Sequence, residues 1–314
     1  MSAVEPTIDN MANPALRYLM ATRPAFLSVT LVAALIGLAS ACADGVRLHP
    51  LTAVITLLFA LVAHAGINVL NDYYDALNGT DDVNRERIFP FTGGSRFIQN
   101  GVLTRRETAI FGSILMLLVM VAGVWLTMMS DASLLWIGAA GLFIGWAYSA
   151  PPCKLNSRGL GEFAVWSGFA LIALGADVVQ RGAVSATPLI AVSSYALLVT
   201  NLLFINQFPD LKADGVAGKR HWVVRLGHHR ARWLYAIIAA AAYGWLTAAV
   251  WSGALPWLAL SALAPAVFSI QASTTLVRSS GTPSLLTPAI QQTIAAAVLH
   301  GLLLSTAIIV ASIF

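Results

Sequence analysis

The stretch "INVLNDYYDALNGTDD", residues 67–82, decides the reading of the fold, because an apolar run passes there directly into four aspartates and three asparagines. Charge is otherwise scarce. Of 314 residues, 58% are hydrophobic and 10% charged, and the mean hydropathy is +0.77. Soluble proteins average roughly 45–50% apolar and about 25% charged residues. That much apolar surface cannot be hidden by soluble packing, so the bilayer is the expected solvent. The quoted stretch then marks the point where a helix leaves the lipid.

Working outward, nine apolar runs are long enough, or nearly so, to cross a hydrocarbon core of about 30 Å as helices. They cover residues 25–43, 50–70, 108–130, 133–150, 160–180, 187–208, 231–252, 255–271 and 290–313. The runs are continuously apolar instead of alternating, which favours helices over a barrel. The expectation is an all-α, multispan membrane protein with nine transmembrane helices. One membrane-embedded domain covers residues 1–314, with 1–24 as a cytoplasmic leader. "GLASACADG" after the first span has the Ala-x-Ala spacing of a signal-peptidase site, but the long leader carries Glu5 and Asp9, so the span is retained. With nine spans, every Lys and Arg except Arg47 and Arg181 falls on the side of the N-terminus. This places the N-terminus and the large loops in the cytoplasm and the C-terminus outside, in the cell's inner membrane. The same bias accounts for the pI near 9.3. No Lys/Arg-rich run with interleaved aromatics points to nucleic acid. Cys42 and Cys153 fall at opposite membrane faces and cannot pair.

Two connections are long, 71–107 and 209–230, and their entries look alike. Asn68 precedes Asp72 by four residues, and Asn206 precedes Asp210 by four. Asp75 and Asp214 follow three and four residues on. Such spacings put side chains on one helix face, so Asn68, Asp72 and Asp75 line the end of the second span. Asn206, Asp210 and Asp214 do so at the end of the sixth, with Pro209 able to distort the turn. The chain reads as two related halves. Capping of helix ends would explain one such motif. Two at matching places call for a positive partner, because carboxylates at this spacing repel. Mg²⁺ suits them, held by carboxylates, water and substrate phosphates. Arg85, Arg87 and Arg96 follow the first motif and Lys219 and Arg220 the second, as a diphosphate ligand requires. "FTGGS" is a weak phosphate signal, and neither a Walker A nor a Rossmann pattern occurs.

"NDYYDALNGTD" and "DLKADGVAGKR" resemble the two aspartate-rich motifs of the UbiA superfamily of intramembrane prenyltransferases, and "AYSAPPCKLNSRGLGE" (147–162) resembles the loop between that family's fourth and fifth helices. The resemblance covers nearly the whole chain and implies a nine-helix UbiA-type bundle. It implies Mg²⁺ and diphosphate positions at Asn68, Asn71, Asp72, Asp75, Asp210 and Asp214, with Asp81 as the later acidic place. It also implies polar contacts near the reacting carbon and diphosphate from Tyr148 and Lys154, a diphosphate contact from Asn206, and a basic position at Arg23 opening the first span. Gly79 stands where ubiquinone-type members have Asp, and the pattern is most similar to members acting on 1,4-dihydroxy-2-naphthoate in menaquinone synthesis.

The implied reaction is transfer of a polyprenyl group from an allylic polyprenyl diphosphate to an aromatic acceptor, with the chain in the bilayer-embedded bundle and the diphosphate at its cytoplasmic mouth. Mg²⁺, Lys and Arg stabilise the leaving pyrophosphate, and the Tyr148 ring faces the allylic cation or orients the acceptor. No general base is evident. His64 and His300 read as packing residues, and Glu162 and Asp177, near the ends of the fifth span, as structural. A multispan transporter with repeated ion sites is the alternative class, opposed by polar clusters at one membrane face instead of the midplane.

Overall fold

A computed structural model describes residues 4–313, so Phe314, where the sequence places the outer terminus, lies outside the described residues. The helices in chain order are α1 (Pro14–Ala21), α2 (Pro24–Ala43), α3 (Pro50–Asn78), α4 (Thr80–Val83), α5 (Arg105–Met129) and α6 (Ser133–Ser149). There follow α7 (Gly161–Arg181), α8 (Thr187–Val216), α9 (Trp222–Trp251), α10 (Ala266–Ser279) and α11 (Thr287–Ile313). Among the described residues no strand occurs. Local signals set the boundaries. Asn13 caps α1 by accepting from the Ala15 and Leu16 amides, and prolines open α1, α2 and α3 at the position where no donor is needed. Thr104 and Glu107 form a reciprocal capping box at the start of α5.

Eight helical stretches are long and apolar enough to cross a membrane. The fourth predicted span is α6, with 17 residues, which extends about 26 Å at 1.5 Å per residue. The eighth differs most from expectation. It is a 3₁₀ segment, Trp257–Leu263, followed after Pro265 by α10. Pro256 and Pro265 bound the tight segment, since neither ring nitrogen donates the bond that would continue an α-helix. The second and sixth spans run well past their predicted ends. The 29 residues of α3 reach about 44 Å, so its last turns stand clear of a hydrocarbon core of about 30 Å. α8 continues through Pro209 to Val216 without breaking.

The main core gathers side chains of α2, α7, α8, α9 and α11 around fully buried Tyr195, Tyr235, Phe204 and Ile36. Tyr195 donates to the Val29 carbonyl at 2.7 Å, locking α8 to α2. Close packing of α2 on α7 depends on Gly37, where a Cβ would overlap the Ala173 carbonyl. His300 is satisfied on both ring nitrogens, by Ser194 and the Ala262 carbonyl. Asp177 is fully buried but forms a two-point pair with Arg181, which also meets Asp44 at 2.8 Å.

Candidate active site

The long helices α3 and α8 end side by side, and the segment after α4 folds back over both. Asn84 donates to Asp210 at 2.6 Å, and the Gly93 and Ser95 amides reach Asp210 and Asp72 at 3.4 and 3.3 Å. Gly94, at φ +74, admits no side chain, because a Cβ there would overlap Asp81. The Gly93 and Ser95 amides of "FTGGS" are therefore spent on the aspartates themselves, and those of Phe91 and Thr92 on the Ile88 carbonyl. Asp72, Asp75, Asp81 and Asp214 are buried. A single ammonium joins the two motifs, Lys219 Nζ lying 3.0 Å from Asp75 and 3.1 Å from Asp214. His221 Nε2 stands 3.0 Å from the other Asp214 oxygen.

Electrostatics follow from this crowding. Burial, then the Asp75 and Asp72 charges, raise the Asp81 carboxyl well above the ordinary range, with Lys219 opposing. Burial works against a charged Lys219, but Asp75 and Asp214 outweigh it and hold its pKa above the usual value.

The other sequence-predicted residues divide. Asn68 donates to the Thr22 carbonyl at 3.0 Å, and Asn71 to Ser149 at 2.6 Å. Asn206 lies on α8 with a buried Oδ1 that has no partner. Arg23, in the left-handed region at φ 58, joins α1 to α2 and reaches the Phe91 carbonyl at 3.3 Å. Arg87 is turned to Glu5 at 2.7 Å and to the Asn84 carbonyl, away from the carboxylates. Arg85 and Arg220 are exposed, and Lys154 is half-buried in a left-handed turn. Sequence reading missed His221, although it directly follows "GKR". It also missed Asn84, Ser95 and the Glu5 clamp on the loop, where Glu5 meets Arg87 and Asn100. Such partners depend on a loop conformation that no spacing announces.

Next to this mouth a cavity of about 640 Å³ opens between α2, α3, α5, α6 and α7. Its lining is almost wholly apolar, Phe59, Ile67, Leu142 and Ile172 among it. Asn68 and Tyr148 line it too, and His64, whose Nδ1 meets Thr30 at 2.6 Å, stands deeper along α3. An apolar cavity next to a cluster of carboxylates suits a ligand with a long hydrocarbon tail and an anionic, metal-bound head.

Among the described residues no three acidic, His or Cys side chains already form a cage. The oxygens nevertheless fit Mg²⁺: Asp75 and Asp214 share one buried ammonium, Asp72, Asp81 and Asp210 form no ion pair among the described residues, and Asn206 Oδ1 is without a partner. Mg²⁺ takes only one or two carboxylates, with water and phosphate completing its shell.

Helices surrounding an apolar cavity with paired aspartate motifs at its mouth define an intramembrane enzyme class that handles isoprenoid diphosphates. Residues 30–287 match the model of the UbiA prenyltransferase family, and the chain belongs to that family of membrane prenyltransferases. It is 30% identical over 190 residues to 1,4-dihydroxy-2-naphthoate octaprenyltransferase of Mycobacterium leprae, a match covering 60% of this chain and 62% of that protein. The enzyme of the same name from Mycobacterium tuberculosis is 30% identical over 213 residues, 68% of this chain and 70% of that one. The structure of a UbiA homolog from Archaeoglobus fulgidus bound to DMAPP and Mg²⁺ superposes with a TM-score of 0.65 at 17% identity, over 92% of this chain and 99% of that one.

Proposed function

We propose that the protein transfers a polyprenyl group from an allylic prenyl diphosphate to 1,4-dihydroxy-2-naphthoate, with Mg²⁺, at the cytoplasmic face of the inner membrane. The observation that carries this reading is the junction of the apolar cavity with the Asp72/Asp75/Asp210/Asp214 cluster through Asn68 and Tyr148. The naphthoate named in both mycobacterial relatives supports the acceptor, as does Gly79 in place of an acidic residue.

The prenyl chain lies in the cavity, with its diphosphate against the two motifs. Mg²⁺ ions would be held by carboxylates from among Asp72, Asp75, Asp81, Asp210 and Asp214, with Asn206 beside them, and would supply positive charge to the leaving pyrophosphate. Lys219 adds a fixed ammonium between the motifs, and Arg23 flanks them from the start of α2. As the allylic C–O bond breaks, an electron-rich ring carbon of the acceptor attacks the cation, which the Tyr148 ring face stabilises, and the ring regains aromaticity by losing the substituent of that carbon, a proton to the released pyrophosphate or the carboxyl group as CO₂. The dry cavity wall keeps water from capturing that cation.

The test is kcat/KM for the naphthoate and for 4-hydroxybenzoate with one prenyl diphosphate and Mg²⁺. A clear preference for the naphthoate is expected. Pocket shape alone is worth only about 1–3 kcal/mol, so weak turnover of the benzoate is compatible with it. Preference for 4-hydroxybenzoate, or for a glyceryl phosphate lipid, overturns the acceptor and leaves prenyl transfer standing. Release of no pyrophosphate with any acceptor overturns the enzyme reading.

A further inference from the structure

Glu162, the second residue of α7, reads from sequence as structural, but its surroundings do not stabilise it. Among the described residues it forms no ion pair, and its Oε2 is buried without a hydrogen-bond partner. Its Oε1 accepts from Gln207 Nε2 of α8 at 2.9 Å. Gln207 is itself more than nine-tenths buried, and its own Oε1 is also without a partner. Two unpaired acceptor oxygens thus flank one hydrogen bond at the α7–α8 seam. A buried acceptor oxygen is unfavourable when nothing donates to it. A pair of orphan acceptors selects its ligand by chemistry. It takes hydroxyl or N–H donors and disfavours an anionic group at the same spot.

Its position adjoins the reaction centre. Glu162 follows Gly161, and a Cβ on Gly161 would lie 3.7 Å from the Tyr148 ring. Tyr148, which lines the cavity, therefore neighbours the start of α7 that carries Glu162. Gln207 directly follows Asn206, so the same turn of α8 serves both places.

We infer that Glu162, anchored by Gln207, is the subsite for a ring hydroxyl of the aromatic acceptor. This rests on the prenyl-transfer reading above. The carboxylate accepts the hydroxyl's hydrogen bond, which orients the ring on the Tyr148 side of the mouth. It also drives electron density from the hydroxyl oxygen into the ring carbon that attacks. Gln207 acts through Glu162 and is a positioning residue. The diphosphate, being anionic, is kept out of this subsite by the same charge that holds the hydroxyl.

The experiment compares the dihydroxynaphthoate with its two mono-methyl ethers, in the full-length protein with Mg²⁺ and one prenyl diphosphate. In the native protein one ether is expected to lose roughly 10- to 100-fold in kcat/KM, the worth of a hydrogen bond to a charged group. In Glu162→Gln that discrimination falls to within about twofold, while the KM for the prenyl diphosphate and the binding of an unreactive prenyl thiodiphosphate stay unchanged. A variant that loses activity equally on all three acceptors, or keeps the native ratio, overturns the subsite and leaves prenyl transfer intact. If Glu162→Gln does not fold, Gln207→Met carries the same comparison, with the ratio again expected to shrink. Absence of prenyl transfer in the native protein overturns both readings together.

Discussion

The Lys219 ammonium stands 3.0 Å from Asp75, so the segment after α8 is tied to the last turns of α3 by a buried ion pair. It stands equally close to Asp214, which makes it the one charge holding the two aspartate motifs together. Lys219→Gln leaves those carboxylates facing each other, and breaking a buried pair costs about 3–5 kcal/mol. The thermal midpoint is expected to fall, and added Mg²⁺ is expected to raise it more in the variant than in the native protein. Equal Mg²⁺ shifts in the two proteins would show that the cation does not bind where the ammonium was.

Asp75→Asn and Asp214→Asn each remove one charge from opposite sides of that ammonium. Each variant should stay folded, since the amide keeps a hydrogen-bond acceptor towards Lys219. Prenyl transfer should drop by at least about 100-fold, the typical scale for removing one electrostatic contact to a leaving group. Chelation of divalent ions should abolish the native activity. Full Mg²⁺-dependent turnover in either folded variant contradicts a site shared by both motifs.

Helix number and the aspartate faces were legible in the sequence because each rests on a local, periodic signal. Apolar length gave the spans, and spacings of three and four gave Asn68–Asp72–Asp75. The split of the eighth span was hidden, since Pro256 and Pro265 can bound a helix as readily as a 3₁₀ segment. Arg87 and Lys219 looked alike as basic residues beside a motif, yet one turns to Glu5 and the other to Asp75. That difference is decided by the fold of residues 84–104, a loop with no period to read. Glu162 shows the reverse case, as "GLGE" was noticed but the missing partners of its side chain are visible only in three dimensions.

Orientation is open to direct labelling. In a background lacking Cys42 and Cys153, Asp82→Cys and Arg47→Cys, both exposed, should react with an impermeant thiol reagent from opposite faces of the membrane. Asp82 should react only from the cytoplasmic side, following the bias of Lys and Arg. Labelling of both from one side contradicts the topology.

Gly138, Gly141 and Gly145 of α6 line the cavity, and nothing lies within 4 Å of a Cβ placed on Gly141. Gly141→Leu should therefore fold, with up to about 1 kcal/mol gained in helix propensity. The leucine occupies room that a long prenyl chain needs. The ratio of kcat/KM for a long over a short prenyl diphosphate should fall about tenfold or more. An unchanged ratio places the tail elsewhere.

Every residue lining that cavity lies between Thr30 and Val179, and α8 to α11 contribute none. The first five spans thus form a container and the later ones a buttress. Substitutions in the first can retune product length while the second, with Asp210, Asp214 and Lys219, stays as it is. A block exchange of residues 30–179 between relatives should carry tail preference with it, together with Asp72 and Asp75, while Asp210, Asp214 and Lys219 stay in place.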